Sequence, residues 1–339
     1  MKNYVDRWDS DVFENKEISK LIYDDVKKKL KVMPHPFHGW RSIPNQKYDT
    51  IFINEHGLRN KSFKDFDKEK KNCILLGGSV AWGFGASSND FIPSNLIENF
   101  LKKKHDLHYN IINFAEQMHS SFEELQTFIT IVDEIDPELV ICLSGTNDIN
   151  RGYADIFKIT DLNIHQLNYF LNGHDLGLIR EKNLFIKLFK TLLRNHRLKS
   201  KIDNSNYHYN KPIKSNIPFK LIQNKLIFMR NYYEEKNIKF FHFLQPDLIT
   251  KKNLTNTEKK YYDWIEEDRK IYVKENLKIF EEKFFKNENP YKNSYFISLL
   301  DIFDKIEESI FFDKAHLGDK GNAIMSEVIA DNIGEKIKE

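Results

Sequence analysis

The chain has 339 residues, 40 % of them apolar, with 27 Phe and 15 Tyr. That is enough to bury a sizeable core and too apolar for a disordered polypeptide. Its 52 Lys and Arg nearly balance 50 Asp and Glu, a formal net charge of +2, so no broad field exists to recruit nucleic acid or an acidic membrane surface.

The first residues, Met1 to Asp6, lack the apolar stretch of a signal peptide, and no run approaches the ~18 apolar residues of a membrane span. The two cysteines, Cys73 and Cys142, lie inside apolar runs. The expectation is a cytoplasmic protein with buried, reduced thiols and no disulfide. Oligomeric state is not readable.

Residues 1–70 hold two motifs, His35-Pro36-Phe37-His38-Gly39-Trp40-Arg41 and Ile53-Asn54-Glu55-His56-Gly57-Leu58-Arg59. They are expected to form an ordered extension wrapping a core that occupies 71–339. Five apolar runs follow that read as strands: Cys73 to Leu76, Asn110 to Phe114, Leu139 to Leu143, Lys239 to Leu244 and Tyr295 to Leu300. Continuous apolar runs with turn residues behind them are what a sheet buried on both faces requires.

Helical spacing recurs between them. Ile92, Leu96, Ile97, Phe100 and Leu101 follow the first run, and Phe122, Leu125, Phe128, Ile129 and Val132 follow the second. Ile324, Val328, Ile329 and Ile333 close the chain. A stretch at about 150–235, rich in aromatics and without clear strands, reads as a helical insertion near the active face. Residues 258–286 read as one long amphipathic helix on Ile265, Tyr272, Leu277, Phe280 and Phe284. Alternating strands and helices predict an α/β fold with a parallel sheet covered on both sides. Its ligand crevice should lie at the carboxyl ends of the strands.

Three motifs fall at such ends. Gly77-Gly78-Ser79 follows the first strand, and Gly145-Thr146-Asn147-Asp148 follows the third. Asp313-Lys314-Ala315-His316 precedes the last helix. A hydroxyl, an imidazole, a carboxylate and an amide donor are the parts of acyl transfer through a serine. Ser79 is the expected nucleophile, His316 the base and Asp313 the group that orients it. Asn147 and the Ser79 N–H are expected oxyanion donors, with Asp148 ordering the loop.

Competing motifs are not met. The turn has neither the dinucleotide pattern nor the Gly-Lys-Ser/Thr of a phosphate loop. Ala81 stands where Gly-x-Ser-x-Gly needs its second glycine. His35 with His38, and His105 with His108, lack the cysteines or carboxylates of a zinc site, so surface histidines and no metal are expected.

These blocks resemble the SGNH hydrolases, also called GDSL lipases/esterases, in order over about residues 72–335. Gly78 stands where the family's name-giving Asp often does. Asn113-Phe114-Ala115-Glu116-Gln117-Met118 matches the second block, which puts Ala115 at the glycine whose N–H enters the oxyanion hole. The resemblance implies a three-layer α/β/α, flavodoxin-like domain with a five-stranded parallel sheet in order 2-1-3-4-5. It also implies a metal-free, cofactor-free acyl-serine mechanism.

The two N-terminal motifs are similar to those of bacterial SGNH proteins associated with surface-polysaccharide or glycan genes. Gln245-Pro246 after the fourth strand is similar to that subgroup too, which makes Gln245, with Gly78, a candidate substrate contact. The expected activity is hydrolysis of a short acyl ester, O-acetyl first, on a sugar or glycan intermediate. Alternatives are a sugar O-acyltransferase, a lipase or thioesterase, and a non-catalytic glycan-binding relic.

Overall fold

The structure, a computed structural model, describes residue 8 and residues 10–153, 217–285 and 292–338. Helix α1 (Lys16–Asp24) opens the described chain, its first turn capped by the Asn15 side chain on the Ile18 N–H at 2.9 Å. Two small antiparallel pairs follow: β1 (Val32–His35) with β2 (Gly39–Ser42), and β3 (Gln46–Lys47) with β4 (Phe52–Ile53). The extension expected over 1–70 therefore contains strands that its sequence does not announce. They are too short to show a period of two.

The core is β5 (Lys71–Gly77), β6 (Tyr109–Asn113), β7 (Leu139–Ser144), β8 (Lys239–Leu244) and β9 (Ser294–Ser298). All four pairings are parallel, in the order β6-β5-β7-β8-β9. This is the expected 2-1-3-4-5 sheet. The predicted runs fall on these strands within two residues at either end, because a strand covered on both faces must be apolar at almost every position.

Side chains alternate between two cores. Cys73 and Leu75 of β5, and Leu139, Ile141 and Leu143 of β7, enter one. Helices α3 (Pro93–His105) and α9 (Asp319–Lys338) cover it with Ile97, Leu101, Met325 and Ile329. Ile74 and Leu76 enter the other with Val140 and Cys142. There the cover is α4 (Ser121–Ile135), α5 (Thr146–Tyr153) and α6 (Ile217–Lys236). The result is the expected three-layer α/β/α domain.

The predicted helix over 258–286 is two helices, α7 (Asn256–Asp263) and α8 (Glu267–Phe280), the second running on into a wider turn at Glu281–Phe285. The break at Trp264–Glu266 has a packing cause. Tyr261 of α7 is buried in the first core, whereas Tyr272, Val273 and Leu277 of α8 are buried in the second. In one straight helix Tyr261 and Tyr272, about three turns apart, would share one stripe on one side of the sheet.

The insertion expected at about 150–235 lies outside the described residues over 154–216; its flanks, α5 and α6, are helical. No helix among the described residues is long and apolar enough to cross a membrane.

The second N-terminal motif is built into the core edge. Gly57 has φ +77, and a Cβ there would meet the Ser42 carbonyl at 2.5 Å. The glycine thus permits the second motif to touch β2, the strand that carries Trp40 and Arg41 of the first. Arg59, only 1 % exposed, donates to the carbonyls of Gly83, Thr50 at 2.9 Å and Ala86 at 3.4 Å, and lies 4.5 Å over the Trp82 ring. Burial pulls its guanidinium down to about 9, so it stays charged at neutral pH. Arg59→Met fills the space but removes the side-chain donor of the buried Thr50 and Ala86 carbonyls, while the Gly83 carbonyl keeps the Ala86 N–H at 3.0 Å. It is expected to cost about 3 kcal/mol, read as a lower urea midpoint. An unchanged midpoint would show that water replaces the guanidinium.

Candidate active site

The site lies at the carboxyl ends of β5, β6 and β7. Gly77, with φ +154, ends β5, and Gly78 caps the single turn α2 (Ser79–Trp82). Ser79 is thus the first residue of a helical turn, and its N–H has no carbonyl four residues back to satisfy it. A Cβ on Gly78 would come within 2.3 Å of Asn147 Nδ2 and 3.1 Å of the His119 carbonyl. A side chain at position 78 would press on that amide and force it to shift. Gly78 therefore packs on Asn147.

The closing loop brings the acid and base across the sheet. His316 Nε2 lies 2.7 Å from Ser79 Oγ, and His316 Nδ1 lies 2.7 Å from Asp313 Oδ2. Asp313 Oδ1 accepts the backbone N–H groups of Ala315 and His316, both at 2.9 Å. Burial alone would raise the Asp313 carboxyl; the imidazole charge and these hydrogen bonds override it and hold the group well below the ordinary carboxylate range. Phe84 lies against the imidazole, ring centroids 4.3 Å apart.

The loop is gripped from below. The N–H groups of Ile310 and Phe311 donate to Glu258 Oε1 at 2.9 and 3.2 Å. Glu258 Oε2 is paired with the buried Lys251 ammonium at 2.6 Å. Asp319, at the start of α9, accepts the Ser87 N–H at 2.9 Å and so ties this loop to the one behind Ser79.

The loop after β6 differs from expectation. The Ala115 N–H donates to Asn113 Oδ1 at 3.1 Å, and Ala115 is 4 % exposed. That N–H is thus bonded inside the protein. The glycine-like backbone is three residues on. The His119 N–H closes a turn on the Glu116 carbonyl at 3.2 Å, and Met118, third in that turn, has φ +63. Such a turn normally takes glycine there, and a side chain costs roughly 1–3 kcal/mol.

Three side chains hold the turn in that shape. Trp40 Nε1 donates to the Gln117 carbonyl at 2.9 Å, Arg151 Nη2 to the Met118 carbonyl at 2.8 Å, and Asn147 Nδ2 to the His119 carbonyl at 2.8 Å. That bond uses one N–H of the Asn147 amide, which has a second. Asp148 accepts the Ser121 N–H at 3.2 Å and joins α5 to α4. Gln245 is buried behind β8, its N–H on the Ser144 carbonyl at 3.1 Å.

Beside Asp313 opens a cavity of about 210 Å³, lined by Tyr261, Trp264, Glu266, Arg269 and Lys314. Among the described residues no three His, Cys, Asp or Glu side chains cluster as metal ligands. His38, expected at the surface, is instead 3 % exposed and bonded to Thr130 Oγ1 at 2.7 Å, stacked on His35. His105 faces Asp331 at 2.8 Å, and exposed His108 faces Asp106 at 3.0 Å.

Sequence reasoning missed Met118, Trp40 and Arg151. Only Arg151 left a legible trace. The Ser120-x-x-Glu123 pattern marks a capping box, and Arg151 is paired with Glu123 at 2.9 Å.

A family model described as GDSL-like Lipase/Acylhydrolase matches residues 74–329. Similar solved structures include the psychrotrophic esterase EstA from Pseudoalteromonas sp., at 11 % identity, 80 % of this chain, 100 % of that one and a TM-score of 0.41. The acetylxylan esterase Axe2 from Geobacillus stearothermophilus aligns at 12 % identity over 78 % of this chain and 94 % of that one, TM-score 0.37. The lipase Lip_vut3 from a goat rumen metagenome aligns at 12 % over 78 % and 97 %, TM-score 0.42. No curated protein sequence matches the chain.

Asp148 supplies a pH test of how the site is held. Burial, then the Glu124 carboxylate, pushes it up to about 7. The folded chain therefore binds this proton more tightly than the unfolded chain does. That stabilisation is complete below the ordinary carboxylate range and is lost as pH rises through about 7. Asp148→Asn keeps the acceptor and removes the titration. It is expected to match wild type in Tm near pH 4 and to exceed it at pH 8. Parallel Tm curves across that range would contradict the assignment.

Proposed function

The chain belongs to the GDSL-like lipase/acylhydrolase family, an ester-hydrolase family, and from that premise we propose a serine esterase that removes a short acyl group, acetyl first, from a carbohydrate or glycan intermediate. The observation that carries the chemistry is the hydrogen-bonded chain Ser79–His316–Asp313, with 2.7 Å at each link.

Ser79 Oγ attacks the ester carbonyl while His316 Nε2 takes its proton, and Asp313 stabilises the imidazolium. The tetrahedral oxyanion receives the Ser79 N–H, the second amide N–H of Asn147 and, in place of Ala115, the N–H of Met118. Collapse breaks the bond to the alcohol, which leaves with the proton from His316. Water then attacks the acyl-serine, its proton passing to His316, and the acid leaves as Ser79 regains its hydrogen.

The cavity beside Asp313 supports a sugar as the alcohol. Trp264, 40 % exposed, offers a ring to the apolar side of a pyranose, and Glu266, Arg269 and Lys314 offer partners for its hydroxyls. Gln245 and Gly78 stay in the proposal as a lesser substrate contact and as the glycine that makes room for Asn147. The buried free thiols of Cys73 and Cys142 fit a reducing, cytoplasmic setting.

Hydrolysis of p-nitrophenyl acetate, butyrate and octanoate, followed by acetylated sugars, tests the proposal. The expected order is acetate fastest, with Ser79→Ala folded and inactive on all of them. Rates that climb with acyl length would replace the sugar esterase by a lipase or thioesterase. A fully active Ser79→Ala would remove the serine mechanism itself.

A further inference from the structure

We propose that Trp40, on the N-terminal hairpin, is a positioning residue for the oxyanion site: by holding the Gln117 carbonyl it keeps the Gln117–Met118 peptide turned so that the Met118 N–H faces the nucleophile. This rests on the assignment of Met118 as an oxyanion donor under the proposed function.

A four-residue turn has two settings of its central peptide. In the commoner one the third residue has φ near −90°; in the other it is near +80° and the peptide is turned over. In the turn Glu116–His119 the central peptide is Gln117–Met118, and Met118 at φ +63 marks the second setting. Methionine has no local reason to adopt it, since a Cβ disfavours that region. The preference is imposed from outside the turn.

Arg151 and Asn147 hold the carbonyls of Met118 and His119. The side chain on the carbonyl of the central peptide itself is Trp40, 77 residues away in the chain. No peptide among the described residues is cis, and in a trans peptide N–H and C=O point opposite ways. A Gln117 carbonyl drawn to the indole therefore sends the Met118 N–H to the other side. The next residue of the turn reaches the nucleophile's own turn: the His119 carbonyl contacts Asn147, and an ideal Cβ on Gly78, the residue before Ser79, lies 3.1 Å from that carbonyl.

The hairpin is anchored to the same turn twice more. The Ser42 N–H and hydroxyl both donate to Glu116 Oε2 at 2.8 Å, and His119 Nε2 meets the Trp40 carbonyl at 3.3 Å. Without the indole donor the peptide is free to turn over into the setting that methionine prefers, and the oxyanion loses one N–H.

The test is kcat and KM on p-nitrophenyl acetate for wild type, W40F, M118I, S79A and the double variant W40F/M118G. W40F keeps a ring and removes the donor; kcat is expected to fall about 10- to 100-fold with KM unchanged, the loss typical of an oxyanion donor. Glycine accepts the positive φ unaided, so W40F/M118G is expected to recover most of that kcat, which lost packing alone would not allow. M118I, β-branched and least tolerant of positive φ, is expected to lose kcat with the hairpin intact, and it carries the test should W40F fail to fold. Wild-type kcat in W40F or in M118I, or a loss in W40F that glycine does not relieve, overturns the role of Trp40. S79A keeps the two failures apart. Turnover by S79A sinks the acyl-serine assignment, whereas an inactive S79A beside a fully active W40F sinks only this inference.

Discussion

Ser79 Oγ and His316 Nε2 are 237 residues apart in the chain and 2.7 Å apart in space, and much of the fold serves that distance. Ser79 is fixed by β5, which lies between β6 and β7 and is buried from Cys73 to Gly77. The imidazole sits on a loop, and loops do not hold a 2.7 Å contact unaided. Here the loop is bonded to Glu258 below, bridged to the nucleophile turn through Ser87 and Asp319, and stiffened by Asp313 bonding both the ring and the backbone of His316. The carboxylate thus supports the base electrostatically and sterically at once.

The N-terminal extension reaches three loops of the site, those behind Ser79, after β6 and beside Asp313. Trp8 and Phe13 pack on Phe312, each at 5.0 Å between ring centroids, next to Asp313. Trp40 and Ser42 hold the turn that carries Met118. Arg59 reaches the carbonyls of Gly83 and Ala86 behind Ser79. A parallel sheet supplies strand ends but leaves the loops beyond them exposed. The extension provides the buried donors and aromatic faces that those loops need. Residues that read from the sequence as packing motifs therefore bear on the geometry of the site.

What was legible follows from the physics of burial. β5, β7 and β8 are covered on both faces, so runs such as Cys73-Ile74-Leu75-Leu76 announce themselves. The meeting of Ser79, Asp313 and His316 was legible because they carry side-chain chemistry, and their order along the chain is informative. What escaped lies in the backbone or in partnership. Ala115 looked like a donor by position, but only the fold shows its N–H turned onto Asn113. Nothing in the letter Met at 118 announces a positive φ, because the side chains that hold the turn lie elsewhere, on the N-terminal hairpin and on α5. The break at Trp264 has no Gly or Pro to mark it; it exists because Tyr261 and Tyr272 serve opposite faces of the sheet. His38 belongs to a surface-prone residue type and is buried through Thr130 on α4.

The most direct test of the central claim is to catch the intermediate. Wild-type protein quenched in acid during turnover of p-nitrophenyl acetate would be digested and weighed by mass spectrometry. The account predicts an acetyl group on the peptide that contains Ser79, localised to its hydroxyl, and gone once substrate is exhausted. Acetyl carried on another residue, or rapid hydrolysis without any acyl-enzyme on Ser79 in a quench fast enough to trap it, would contradict it.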